Sequence, residues 1–73
     1  MIRRDTFINK IRDLDYTYKS QQKRTYLWRK KGGTHFISVP MRDFLEETFV
    51  ANALRQAGCG ENEIADFIAQ YHT

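Results

Sequence analysis

Arg24-Thr25-Tyr26-Leu27-Trp28-Arg29-Lys30-Lys31-Gly32-Gly33-Thr34-His35-Phe36-Ile37-Ser38-Val39-Pro40 is the stretch whose reading decides the fold. Two runs rich in β-branched and aromatic residues flank Gly32-Gly33, and glycine supplies the positive φ that a tight hairpin needs. Pro40 has no N–H to give to a ladder, so the second strand is expected to end there. The hairpin holds the only Trp and one of the two His, together with Arg24, Arg29, Lys30 and Lys31.

Outward from the hairpin, the rest of the chain sorts by period. Phe7, Ile8, Ile11 and Leu14 recur at helical spacing after Asp5, a candidate N-cap, and Asp13-Leu14-Asp15 ends that helix. Tyr16-Thr17-Tyr18-Lys19-Ser20 alternates with period two and reads as a strand, with Gln21-Gln22-Lys23 turning into the hairpin. After Pro40, Asp43 and Glu46 have capping-box spacing ahead of an apolar stripe of Phe44, Leu45, Phe49, Val50, Ala53, Leu54 and Ala57. Gly58 stands where a left-handed cap belongs, and Ile64, Phe67, Ile68 and Tyr71 mark a last helix over 61–71. The expectation is one α+β domain over 1–73: a two-layer α-β-β-β-α arrangement with an extra C-terminal helix. This order matches that of double-stranded-RNA-binding domains, an analogy of fold that carries no function.

Seventy-three residues bury only about 60% of their unfolded surface, so most large apolar side chains are needed in the core or in a partner. With ten aromatic residues, that points to a second role for some of them as a dimer interface. One cysteine, Cys59, allows neither an internal disulfide nor a cysteine-rich zinc site and suits a reducing compartment. Met1-Ile2-Arg3-Arg4 lacks a following apolar run, and no segment has membrane-spanning length, so a cytoplasmic protein without a membrane partner is expected. No carboxylate pair, Ser-His-Asp set or His-x-x-x-His spacing occurs, so no metal or other cofactor is expected. Charge is divided unevenly: residues 1–31 carry +7 and residues 32–73 carry −4. A basic half with interleaved aromatics is an electrostatic footprint for phosphate backbones, unless the halves neutralise each other across the fold.

Several segments together resemble HicA-type toxins, the YcfA/HicA-like family of small RNA-cleaving toxins. They are Leu14-Asp15-Tyr16, Gln22-Lys23-Arg24-Thr25-Tyr26 at the family's Gln-Lys-Gly-Ser-His signature, Ile37-Ser38-Val39-Pro40, and Ala53-Leu54-Arg55-Gln56-Ala57-Gly58. The resemblance covers roughly residues 5–58, leaving the helix at 61–71 outside it. It implies an endoribonuclease partnered by an antitoxin, with the signature His as the catalytic residue. This chain has Tyr26 at that position, and a phenol with pKa near 10 is a poor general base beside an imidazole near 6.5. The expectation is therefore a degenerate member that has lost its nuclease. Only His35, beside the Gly-Gly turn and Lys30-Lys31, offers a replacement base, and His72 is expected to fray at the terminus.

The aromatic residues depend on hairpin register. A Gly32-Gly33 turn sets Trp28 against Ile37 and Tyr26 against Val39, on a core face. A Lys31-Gly32-Gly33 loop sets Trp28 against Phe36 and Tyr26 against Ser38, opens Tyr26, Trp28 and Phe36 to solvent, and turns Leu27, Ile37 and Val39 to the helices. Slipping by one residue flips a whole strand face. The family resemblance favours the second, because its catalytic position must reach substrate. The resulting expectation is RNA binding, with Arg3, Arg4, Lys19, Lys23, Arg24, Arg29, Lys30 and Lys31 on phosphates and Tyr26 and Trp28 stacking bases. The alternatives are a protein-interaction module, a homodimer or one bound to a small antitoxin-like protein through the same face, and a residual ribonuclease using His35 or Tyr26.

Overall fold

In the computed structural model, which describes residues 1–73, the first helix is α1 (Arg4–Asp13), two residues earlier than Asp5 as N-cap would place it. Asp5 sits in the first turn, where its charge meets the positive end of the helix dipole, and the Arg4 N–H is taken by the Asp43 carbonyl at 2.8 Å. Phe7 and Ile11 are buried on its inner face. Asp15 leaves the helix at φ 69°, a left-handed conformation that Asp tolerates better than most residues, and β2 (Tyr16–Gln22) follows.

Strands β2, β3 (Thr25–Lys30) and β4 (Phe36–Pro40) form an antiparallel sheet in that order, and β4 ends at Pro40 as expected. Two residues, Lys23 and Arg24, join β2 to β3, with Lys23 at φ 46°; β2 therefore runs two residues beyond Ser20. Between β3 and β4, the Gly33 N–H bonds the Lys30 carbonyl at 3.0 Å and Gly32 takes φ 74°. Trp28 lies opposite Ile37 and Tyr26 opposite Val39. That is the first of the two registers, and it corrects the expectation drawn from the family resemblance. The physical reason is burial: this register puts Trp28, Ile37 and Val39 into the core at 5%, 4% and 0% exposure. Ile37 and Val39 face the helices in the other register too, so β3 makes the difference: Trp28 buries more apolar surface than the Leu27 side chain that would take its side, at about 25 cal/mol per Å².

The proposed cap at Asp43 does not form. Phe44–Leu45 instead make a short strand, β5, paired with β1 (Ile2–Arg3) in a separate two-stranded ribbon. Ile2 and Leu45 are both buried there. Burying them is worth roughly 1.5–3 kcal/mol each, against about 1 kcal/mol for an exposed cap. Helix α2 (Glu47–Gln56) then starts after Glu46 without a side-chain cap. It ends in a Schellman motif: Gly58 at φ 98°, its N–H on the Arg55 carbonyl, and the Cys59 N–H on the Leu54 carbonyl at 3.0 Å. Helix α3 (Glu61–Tyr71) has the expected bounds. His72 is paired rather than frayed: it bridges to Ile2, and the Thr73 N–H bonds the Met1 carbonyl at 2.8 Å.

The result is an α+β domain with three helices and two antiparallel sheets. The core joins Phe7 and Ile11 of α1 to Val50 and Leu54 of α2, Ile64 and Phe67 of α3, and the helix-side residues of the sheet. No helix is long and apolar enough to cross a membrane.

Candidate nucleic-acid interface

Alternation along β2–β4 divides the basic and aromatic residues between two faces. Tyr16, Tyr18, Tyr26, Trp28, Ile37 and Val39 share the helix side, while Thr17, Leu27, Arg29, Phe36 and Ser38 share the other. A bulge between Tyr18 and Ser20 leaves Lys19 without a partner on β3. Its ammonium lies 5.7 Å from the Phe36 ring centroid, which places it on the open face. Phe36 is 42% exposed there, beside Arg29, whose Nε donates to the Gly33 carbonyl at 3.0 Å.

The helix side has a different chemistry. Trp28 is buried, with the Arg12 guanidinium 5.2 Å from its ring centroid and Tyr18 edge-on at 5.8 Å. Its indole N–H has no hydrogen-bond partner. Tyr26 is half-buried, between Tyr18 and the Arg4 guanidinium, which is 6.0 Å from the Tyr26 centroid. Arg4, Asp5, Ile8, Arg12, Tyr18, Tyr26 and Trp28 enclose a cleft of about 390 Å³. Arg12 was missed by sequence reading, although Arg4, Ile8 and Arg12 recur at helical spacing on one stripe of α1.

The expected phosphate-binding residues are therefore scattered by face. Lys19 and Arg29 are on the open sheet face, Lys23 and Arg24 form the β2–β3 turn, and Lys31 lies in the β3–β4 loop, all of them exposed. Arg3 is exposed on β1 over the Phe44 ring, away from that group, and Arg4 lies 3.7 Å from Asp5. Lys30 turns to the helix side, donates from Nζ to the Leu14 carbonyl at the end of α1, and lies over the Tyr16 ring. The expected open triad of Tyr26, Trp28 and Phe36 does not exist; only Phe36 faces solvent on the open side.

His35 is half-buried and shares a 2.5 Å hydrogen bond between its Nδ1 and the Tyr16 hydroxyl. Burial pushes the Tyr16 phenol up, further from any role as a base at neutral pH. Cys59 is buried, and its thiol is also pushed up, first by burial and then by the neighbouring Glu63. No group of three or more His, Cys, Asp or Glu side chains converges as a metal site would require.

The electrostatics of the sheet stand apart from the rest. Residues 16–40 contain Lys19, Lys23, Arg24, Arg29, Lys30 and Lys31 and no acidic residue. The ion pairs of the molecule are Met1 amino–Glu47, Arg4–Asp5, Lys10–Glu63 and Arg55–Glu61, and none involves those six side chains. No acidic side chain of the second half forms an ion pair with the sheet. Comparison of the chain with protein-family models, with curated proteins and with solved structures finds no match.

Proposed function

We infer that the domain binds single-stranded or looped RNA on the open face of its three-stranded sheet. The observation that carries this reading is the acid-free sheet, with six Lys/Arg and no ion pair among them. Lys19, Arg29, Lys23, Arg24 and Lys31 contact successive phosphates from the open face and its two turns. Phe36 supplies the stacking surface that Tyr26 and Trp28 cannot, since an unpaired base stacks on an exposed ring. Lys19 beside Phe36 sets a phosphate partner next to the stacked base. Arg3, Arg4 and Lys30 are outside this track.

Binding without cleavage is the proposed activity. On the HicA-like reading, the residue at the catalytic position is Tyr26, which is half-buried between Arg4 and Tyr18. The remaining imidazole near the sheet, His35, is engaged by Tyr16. The test is affinity for an unstructured RNA across a salt series, together with integrity of the RNA. Binding should weaken steeply with salt, with a log-log slope of about −0.7 for each phosphate neutralised. The RNA should stay intact with wild type and with His35→Ala. Absence of salt-sensitive binding at low ionic strength removes the RNA reading, and cleavage that disappears in His35→Ala replaces it with the nuclease.

A further inference from the structure

The two edges of the three-stranded sheet are built differently. β2 carries the bulge at Lys19 and opens onto cationic side chains, both of which discourage another strand from pairing. β4 carries neither device: Phe36-Ile37-Ser38-Val39-Pro40 is uncharged and, apart from its last residue, able to pair. The Lys30 N–H bonds the His35 carbonyl and the Met41 N–H bonds the Arg24 carbonyl, which sets the parity of the ladder. Ile37 and Val39 therefore bond inward to β3, and Phe36 and Ser38 point their N–H and C=O groups out of the sheet.

Beside this edge lies a groove of about 250 Å³ between β4 and α2, lined by Phe36, Ile37, Ser38, Phe49, Asn52, Ala53 and Gln56. None of these is charged, in a chain in which 29% of residues are. Clefts elsewhere on the molecule carry Lys10 with Glu63, Lys23 with Arg24, or Arg4 with Arg12. A net charge of +3 makes most surfaces of one copy repel another, and a neutral strip escapes that penalty.

We propose that β4 is a homodimerisation edge, pairing antiparallel with β4 of a second copy about a two-fold axis at Ile37. In that register Phe36 of each copy faces Ser38 of the other, and every outward N–H meets an outward carbonyl. Pro40, which has no N–H to offer, falls outside the paired segment. The contact is self-complementary, so it closes as a dimer and does not propagate. On the helix side Asn52 and Gln56 of the two α2 helices approach without charge, while Phe36 of each copy stays on the open face. The two sheets become one of six strands, and their open faces become continuous. This dimer does not depend on RNA.

Light scattering over a concentration series tests it. The mass should rise from 8.7 kDa towards twice that value. Ser38→Lys places a charge on the exposed edge and should hold the mass at 8.7 kDa without lowering the melting temperature measured at dilution, where wild type is monomeric. Lys19→Ala, on the opposite edge, should still dimerise. A wild-type mass of 8.7 kDa at every concentration overturns the proposal, as does a doubled mass in Ser38→Lys. Should Ser38→Lys fail to fold, amide exchange of wild type decides: the Phe36 and Ser38 amides slow with concentration if β4 pairs. Fast exchange independent of concentration overturns it.

Discussion

On the helix side of the sheet, Trp28 is 5% exposed and Val39 not at all, while one residue away on the other side Phe36 is 42% exposed and Arg29 open to solvent. Both faces are aromatic and cationic, yet they use those residues in opposite ways. Arg4 and Arg12 set their guanidinium groups over the rings of Tyr26 and Trp28. Lys19 and Arg29 flank Phe36 without covering it from solvent. Composition is therefore a poor guide to which aromatic residue is buried and which stays open; for Trp28 and Phe36 the strand's period of two decides.

The sharpest way to break the comparison is Trp28→Ala. If Trp28 is core, the substitution should cost about 3–5 kcal/mol, most of the stability of so small a domain, and thermal denaturation should show it as a large drop in melting temperature. Trp28→Phe should lose much less, because it keeps a ring and discards an N–H that has no partner. A Trp28→Ala protein as stable as wild type would mean the register is wrong.

Phe36→Ala is the counterpart on the open face. It should weaken RNA binding by roughly 1–3 kcal/mol, measured by fluorescence titration, if a base stacks there. The melting temperature should change little when measured at dilution. Loss of stability without loss of affinity would move Phe36 from platform to core.

Adjacent Arg29 and Lys30 sharpen the contrast within one strand. Lys30→Ala removes the bond to the Leu14 carbonyl and should cost about 1 kcal/mol of stability, with the salt slope of RNA binding nearly unchanged. Arg29→Ala should do the reverse, lowering the slope by about 0.7 with little effect on melting.

The smallest expected effect is on pH dependence. Residues 16–40 hold no carboxylate, so acid sensitivity from carboxylates must come from outside the sheet. The Lys10 ammonium, 2.7 Å from Glu63, holds that carboxyl below the ordinary carboxylate range, and Glu63 in turn raises Lys10. A depressed carboxyl stabilises the fold above its unfolded pKa of about 4.3, and the contribution is lost as pH falls through the lower folded value. Raised Lys10 contributes below about 10.4 and loses its contribution as pH climbs through its folded value. Between those limits the pair is flat. Denaturant titrations at several pH values should show Glu63→Gln removing a small part of the acid limb, and the pair's exposure keeps that part small.

Much of this molecule was determined by sequence alone. The three helices, the three strands and their order followed from the spacing of residues such as Phe7 and Ile11, or Ile64, Phe67 and Ile68, and from Gly58 and Pro40. Such signals lie within a few residues of one another, and periodicity is a local property. The acid-free character of residues 16–40 was equally legible, because charge needs no geometry to be counted. Tertiary structure decided the rest. The β1–β5 ribbon is two residues long on each strand and unites positions 2–3 with 44–45, too short for a pattern and too distant for a turn signal. The pairing of His35 with Tyr16 likewise required the three strands to assemble, and that of Lys30 with the end of α1 required the sheet to dock on the helix. The register of the hairpin decided the candidate site itself: both alignments preserve alternation in the sequence and leave Phe36 open, and only packing against α1 and α2 makes burial of Trp28 worth more than burial of Leu27.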